Sequence, residues 1–406
     1  MLFKRFEFFS QKLGYFGWMN TGKYVFAQIV SVLDANDFTK CVARYKGNYK
    51  VKDFSCWHQL LCMMFGQLAN RESLSDLVLC LQTQKSKWYH LGIGTSISKS
   101  NLAYANEKRT WQIFADFAYL LIAQARKSIL PNEALCGFEG NAIYAIDTTT
   151  IDLCLEVFWW AKFRKQKAAV KLHTVLDIKT EIPCYMHITD GKVHEINVLD
   201  IIEFEPNGFY VMDRGFVDYE RLYAIHTQNA YFVTRAKTNM KCRRIYSAKV
   251  DKATGVLYDQ TVLLVNFYAL KQYPEKLRRI KYVDTETQQK LIFLTNNFEL
   301  PALQIALLYK YRWKIELFFK WIKQHLKVKS FWGYSENAVK VQVYVAIITF
   351  VAIALVKQQL KTTLTQYQIL QIVSLTLLNK TPLNQLFQDA LIQYFKEPEH
   401  NQLKMF

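Results

Sequence analysis

The chain has 406 residues, 51% of them hydrophobic, which supplies enough apolar side chains for two or three domains with a sizeable core and excludes a disordered chain. Lys and Arg number 52 against 34 Asp and Glu, a net charge of +18 spread along the sequence. The favoured partner is therefore a polyanion, most commonly nucleic acid, although a basic protein that is merely soluble or that touches anionic lipid has the same balance. Eight cysteines show no C-x-x-C pair and no His at zinc-finger spacing, which disfavours a structural zinc site, and most of the thiols read as buried and reduced, as in a cytosolic protein.

In chain order, the aromatic N-terminus is interrupted by Glu7, Gln11 and Lys12 and lacks a small-residue cleavage site, so it does not read as a signal peptide. Met19 is an alternative start, which would make residues 1–18 an extension. From about Lys23 to Leu81 apolar residues recur three and four apart (Phe26, Ile29, Val30, Leu33; Leu60, Leu61, Met64, Leu68), the period of short amphipathic helices. These suit a small DNA-binding domain and equally any helical bundle. Ser96 to Asn101 offers N-caps for a long helix running through Trp111, Phe114, Phe117 and Leu121. On it Lys99, Lys108 and Arg109 either meet phosphates or form a solvated face.

After Asn132 the pattern turns to strands: Ala142–Ile146, Ala168–Leu176 and Ile182–Ile188, then a helix at Glu195–Ile202, strand Phe209–Met212, helix Tyr219–Thr227 and strand Tyr231–Thr234. Three strands, helix, strand, helix, strand is the order of a ribonuclease-H-like mixed sheet. Residues 238–298 carry further strands (Tyr258–Val265, Arg279–Val283, Leu291–Thr295) and read as a β-rich insertion. A periodic helix follows from Pro301, a favoured first-turn residue, to about Val328. The longest apolar run, Val343 to Val356, has 14 residues, short of the roughly 20 of a membrane span, and reads as a buried core helix.

Asp147 and Asp213 each follow an apolar strand, where a carboxylate can project from a sheet edge without being buried. Two such acids suit hard divalent cations, which prefer oxygen ligands and work in pairs about 4 Å apart in phosphodiester chemistry. Either acid alone would as readily be a turn-former. Gly215, in Asp213-Arg214-Gly215-Phe216, adds a place for close backbone approach. On the 301–328 helix, at ~100° per residue, Tyr309, Arg312, Glu316 and Lys323 fall within roughly 60° of one another. Leu308, Ile315, Phe319, Ile322 and Leu326 form an apolar stripe beside them. Such a face suits a phosphodiester site, with Glu316 as the third carboxylate, Arg312 and Lys323 on backbone phosphates, and Tyr309 on a phosphate or a displaced base. An ordinary amphipathic helix with an Arg312–Glu316 pair four residues apart fits the same pattern.

The spacing Tyr309-x2-Arg312-x3-Glu316-x6-Lys323, within Y-K-Y-R-W-K-I-E-L-F-F-K-W-I-K-Q-H-L-K, resembles the YREK signature of insertion-sequence DDE transposases of insertion sequence family four. Asp147 in Y-A-I-D-T-T and Asp213 in Y-V-M-D-R-G-F resemble that family's first and second acids. V-K-L-H-T-V-L-D (170–177) is similar to the strand between them, and Ile97–Arg109 also looks familial; the likeness spans about 19 to 350.

The resemblance implies a ribonuclease-H-like core in two parts (136–237 and 299–358) around the insertion (238–298). A helical DNA-binding region (19–135) precedes the core and a helical tail (359–406) follows it. It further implies catalysis and metal binding by Asp147, Asp213 and Glu316 with two Mg2+ ions, for which Mn2+ substitutes, and DNA contacts from Tyr309, Arg312 and Lys323. The expected partners are double-stranded DNA, as inverted-repeat ends and as target, and a second copy in a homodimeric synaptic complex. No membrane is implied, and the expected place is the cytoplasm, on the nucleoid when DNA is bound. Cleavage at the element end followed by strand transfer is the implied reaction. The alternatives are an inactive transposase-derived DNA-binding protein and a metal-dependent nuclease that does not join.

Among the remaining candidates, Asp177 and Asp190 read as turn acids more readily than as ligands, and His194-Glu195 as a helix start more simply than as a pair near the acids. His173 reads as a satisfied core histidine, and Trp313 as a residue that either stacks on DNA or packs.

Overall fold

A computed structural model describes residues 22–94, 97–130, 138, 140–154, 156, 158–164, 167–325 and 331–396. These divide into two compact units: a helical one, of the residues up to Ile129 together with those from Trp321 onward, and a sheet-bearing one, Leu130–Lys320. The extension 1–18, Ser96, Cys136 and the expected helix end at Leu326–Val328 lie outside the described residues.

The helical unit begins with α1 (Val25–Val30), α2 (Ala35–Arg44), α3 (Cys56–Leu68), α4 (Leu74–Thr83), α5 (Lys99–Lys108) and α6 (Gln112–Ser128). It resumes with a π-helical turn (Trp321–His325) and α11 (Glu336–Leu360), α12 (Gln366–Thr376) and α13 (Leu383–Lys396), α7 to α10 belonging to the other unit. Composition and length would let α11 cross a membrane, but it is buried almost throughout by the helices around it. An all-round apolar helix is stable in water only when wrapped in this way, each buried Val or Ile contributing about 1.5–3 kcal/mol. Gly66 lets α3 approach, since a Cβ there would lie 2.5 Å from the Trp332 ring.

The expected long helix through Trp111 is two helices. Arg109 adopts extended backbone at the end of α5, and Asn337 of α11 satisfies the freed groups. Its amide donates to the carbonyls of Asn106 (2.9 Å) and Arg109 (2.7 Å), and its oxygen accepts from the Trp111 N–H (3.0 Å). A paired break of this kind leaves no buried polar group unmatched.

The second unit holds β1 (Ile143–Leu153), β2 (Lys162–Arg164), β3 (Lys167–Asp177), β4 (Ile182–Asp190), β5 (Phe209–Met212), α7 (Tyr219–Thr227) and β6 (Tyr231–Arg235). It continues with β7 (Cys242–Ala248), β8 (Val256–Leu264), α8 (Phe267–Gln272), β9 (Leu277–Val283), β10 (Lys290–Thr295), α9 (Ala302–Lys310) and α10 (Trp313–Lys320). One ten-stranded mixed sheet runs β2-β3-β1-β5-β6-β10-β9-β8-β7, with β4 on β3. β1, β5 and β6 are parallel neighbours and the other pairs are antiparallel. Helical segments precede and follow this unit in the chain, as expected. Tyr144, Ile146, Tyr210, Met212 and Phe232 alternate onto one face and pack with Leu222 and Ile225 of α7. Asp147 and Asp213, one position further along their strands, belong to the opposite face.

Several elements differ from expectation. β1 runs on to Leu153, because Thr148–Ile151 are β-branched and pair with β3. The Glu195 helix is a 3-10 segment, Glu195–Asp200. The single helix from 301 is α9, a tight turn at Tyr311-Arg312, α10 and then the π turn. At the turn Arg312, Lys314 and Ile315 each donate to the carbonyl three residues back (3.1 Å in each case), tighter than α-helical winding. Of the described cysteines, Cys41, Cys56 and Cys62 are buried but Cys154 is exposed, so burial holds for fewer thiols than expected; all seven are free.

Candidate active site

Asp147 and Asp213 are brought side by side by strand register. Parallel pairing of β1 with β5 ends at Ile146 opposite Met212, so each acid is the next residue on a neighbouring strand. Adjacent strands lie about 4.8 Å apart. The backbone is held at both. The Thr148 N–H donates to Asp147 Oδ1 (2.8 Å), and the Arg214 N–H donates to Asp213 Oδ1 (2.6 Å). The buried Thr234 hydroxyl donates to the Asp213 carbonyl (3.1 Å).

The α9–α10 segment reaches both acids. The Tyr309 ring packs on Phe293 of β10, and its hydroxyl donates to Asp213 Oδ1 at 3.4 Å. Arg312 lies at the tight turn and forks: Nη1 donates to Asp147 (3.3 Å) and Nη2 to Glu316 Oε1 (2.5 Å). Its guanidinium carbon stands 5.7 Å from the Tyr309 ring centre. Side chains expected to act together are thus linked by direct contacts, Glu316–Arg312–Asp147 on one side and Tyr309–Asp213 on the other.

Charge is unbalanced there. Burial, the backbone N–H of Thr148, Arg312, and the charges of Glu316 and Asp213 act on Asp147; burial and the two acids prevail, and its carboxyl is pushed up to about 6. Burial also lifts the Tyr309 phenol to about 12, so it remains a donor at neutral pH. Burial opposes the Arg312 charge, but Tyr309, Asp147 and Glu316 outweigh it and hold the guanidinium above its ordinary value. Arg312 Nε is buried with no partner.

Three hard carboxylate oxygen donors are the right chemistry for Mg2+ or Mn2+. Among the described residues no three acidic, His or Cys side chains are gathered at the spacing of a single ion site, and Arg312 holds Asp147 and Glu316 instead. The donor set fits such an ion by its chemistry and its surplus of negative charge.

Lys323 lies in the π turn Trp321–His325, where regular α-helical winding no longer fixes its angular position. Lys99 is exposed at the start of α5, where Ser98 is the N-cap, and exposed Lys108 pairs with Glu107 (2.9 Å). Arg109 is half-buried and turned inward, donating to the Phe54 carbonyl and to Gln59 Oε1 (3.2 Å); burial lowers its pKa. Trp313 is exposed on α10.

Asp177 and Asp190 accept backbone N–H groups of the turns after them. His194 caps the 3-10 segment. His173 is buried with Thr148 Oγ1 on Nδ1 (2.8 Å) and Thr189 Oγ1 on Nε2 (2.9 Å), and burial, then His187 and Lys171, lower its pKa to about 4. The Thr189 hydroxyl donates to the Asp190 carbonyl, so it accepts from Nε2–H, leaving Nδ1 to accept from Thr148. His173 is therefore a satisfied neutral histidine behind Asp147. Glu195, for which a helix start was the simpler reading and a place near the acids the alternative, reaches the Asp213 turn: a Cβ at Gly215 would lie 2.8 Å from its carboxylate.

Residues 139–351 match the family model described as a transposase DDE domain. The chain belongs to the DDE transposase family. Residues 21–94 match a domain of unknown function (DUF4372), which covers α1 to α4. A Sinorhizobium fredii protein named as transposase y4zB is 36% identical over 256 residues, covering 61% of this chain and 68% of that protein. The protein named as transposase of insertion sequence element IS4SA in Synechocystis is 26% identical over 273 residues, 64% of this chain and 72% of its own length. A Geobacillus stearothermophilus protein, named for element IS5377, is 28% identical over 216 residues, 53% of this chain and 57% of its own. The transposase is thus of the insertion-sequence type, and the matched domain contains Asp147, Asp213, Tyr309, Arg312 and Glu316.

Proposed function

We propose that this transposase cleaves DNA at the ends of an insertion sequence and joins the freed 3′ end to target DNA at the Asp147–Asp213–Glu316 site. The observation that carries the reading is the single segment Tyr309–Glu316 reaching, through Tyr309 and Arg312, the acids of two adjacent parallel strands. Asp147, Asp213 and Glu316 would hold two Mg2+ ions, or Mn2+ in their place, which when bound supply electrostatic stabilisation of the attacking and leaving oxygens. Thr148 and Arg214 orient the two strand acids through their backbone N–H groups. Arg312 moves between two tasks: neutralising acids in the free chain and gripping a DNA phosphate beside the reacting bond. Tyr309, protonated throughout the working range, donates to Asp213 or to a phosphate oxygen. Lys323 and Trp313 would supply further DNA contacts.

In domain terms we take 136–237 and 299–358 as a ribonuclease-H-like core, supported by the antiparallel β1–β3 pair beside parallel β1, β5 and β6. Residues 238–298 are its insertion, whose strands prolong the sheet beyond β10. The helical region 19–135 would recognise terminal inverted repeats, with 359–406 as a tail, and a homodimer would hold two ends together in the cytoplasm.

The test is strand transfer of a precleaved end into a plasmid with Mg2+ or Mn2+. The wild-type chain should join it, and Asp213→Ala should bind the end without joining. Cutting without joining would reduce the chain to a nuclease, and binding alone would make it a DNA-binding relic.

A further inference from the structure

The segment Arg235–Val250 carries six cations, Arg235, Lys237, Lys241, Arg243, Arg244 and Lys249, and no acid. Most of it forms β7, the last strand of the sheet, with one edge unpaired among the described residues. A strand on a packed sheet ordinarily buries alternate residues, yet all of Arg243–Ser247 are exposed, so neither face of β7 is covered. Lys241, Arg243, Arg244 and Lys249 make no ion pair among the described residues. Large aromatic rings stand beside them. Tyr246 is 63% exposed on β7, and Phe267 and Tyr268, at the start of α8, are 74% and 75% exposed. The chain brings them together, because Cys242 pairs with Leu264 and the Val265 N–H donates to the Lys241 carbonyl (3.3 Å), two residues before Phe267. From Cys242 to Tyr246 the strand advances about 13 Å, a length that accommodates two or three nucleotides.

We infer that this patch binds single-stranded DNA, with bases stacked on Phe267, Tyr268 and Tyr246 and phosphates on Lys241, Arg243 and Arg244. Cations alone would suit a duplex backbone equally well, but a duplex keeps its base faces to itself and gives three solvated rings nothing to stack on. Unpaired bases engage both features. A second copy adding its own β7 edge to edge would set like charges against each other along the strand, which disfavours that occupant. Lysine and arginine on an edge strand also guard against aggregation, and that role alone requires no exposed aromatics. The inference rests on the chain being a DNA-acting transposase and assigns a surface distinct from the acids.

The test is fluorescence anisotropy of the full chain with a labelled single strand of about 15 nucleotides and with a blunt duplex of the same sequence. The double variant Phe267→Ala/Tyr268→Ala should lose roughly 10- to 100-fold affinity for the single strand and little for the duplex. Arg243→Gln/Arg244→Gln should flatten the salt dependence on the single strand by about 1.4 in log–log slope, near 0.7 for each phosphate that is no longer neutralised. Unchanged single-strand affinity, equal losses on both probes, or aggregation of the arginine variant with affinity intact would overturn the inference while leaving the transposase reading standing. A wild-type chain that binds neither probe would overturn both.

Discussion

Two arginines in the same sheet unit, Arg278 buried and Arg312 half-buried, live under opposite conditions. Arg278, crossing from β9 to β8, has one carboxylate to itself: Nε and Nη2 donate to the two oxygens of Asp259 at 2.9 and 2.7 Å, and Nη1 donates to the carbonyls of Asn297 and Leu300 (3.3 and 2.6 Å). Charge is balanced and the fork is filled. Arg312 instead divides itself between Asp147 and Glu316, leaves Nε orphaned, and stands beside a third acid that Tyr309 reaches. A closed pair gains nothing from a further ion, whereas an under-neutralised cluster is stabilised by any cation that can enter. The contrast is between a closed pair with every donor used and a cluster that leaves a buried donor and a second acid over.

The largest effect should come from removing a site acid. Asp213→Ala is expected to lower strand joining by roughly 1000-fold or more, with melting temperature and DNA affinity close to wild type. A fully active variant would break the comparison at its functional end. At the structural end, Arg278→Met should cost about 3–5 kcal/mol by stranding the buried Asp259 charge, read as a lower melting temperature, with no change in the metal requirement of the folded fraction.

The third prediction concerns pH. Asp147 titrates near 6 in the folded chain, above its unfolded value of about 3.9, so the folded state binds the extra proton between those values. Its contribution to stability is present below pH 4 and is lost as pH rises through 6. In metal-free buffer Asp147→Asn should therefore stabilise the chain above pH 6, by on the order of 2 kcal/mol, and the gain should vanish near pH 4. A gain that is independent of pH would mean that burial of this carboxylate is not the cause. The smallest expected effect is that of Trp313→Ala: within about 0.5 kcal/mol in stability, as befits an exposed ring, with DNA-end affinity alone reduced.

Much of this arrangement can be read along the sequence. The apolar runs before Asp147 and Asp213 form parallel strands in register, and the recurrence of Tyr309, Arg312 and Glu316 puts them on one side of a helical segment. Four features escape such reading. The threonines after Asp147 look like a loop by polarity, but their branched Cβ atoms suit a strand. Regular winding cannot anticipate a tightened turn at Arg312 or a π turn at Lys323, because both depend on tertiary contacts. β7 has no apolar alternation at all, being cationic on both faces, so no periodicity marks it as a strand. Arg109 and Lys108 are neighbours in sequence and nearly equal in chemistry, yet one is folded inward and the other is exposed, a distinction that only packing makes.

The most direct measurement is Mn2+ titration of the free chain, followed by the ion's electron paramagnetic resonance signal and by melting temperature, for the wild type and for Asp147→Asn, Asp213→Asn and Glu316→Gln. If the three acids form one cation site, the wild type should bind Mn2+ and gain thermal stability, and each variant should lose most of both. Equal binding by all four proteins, or a wild type that takes up no Mn2+ even when DNA is added, would contradict it.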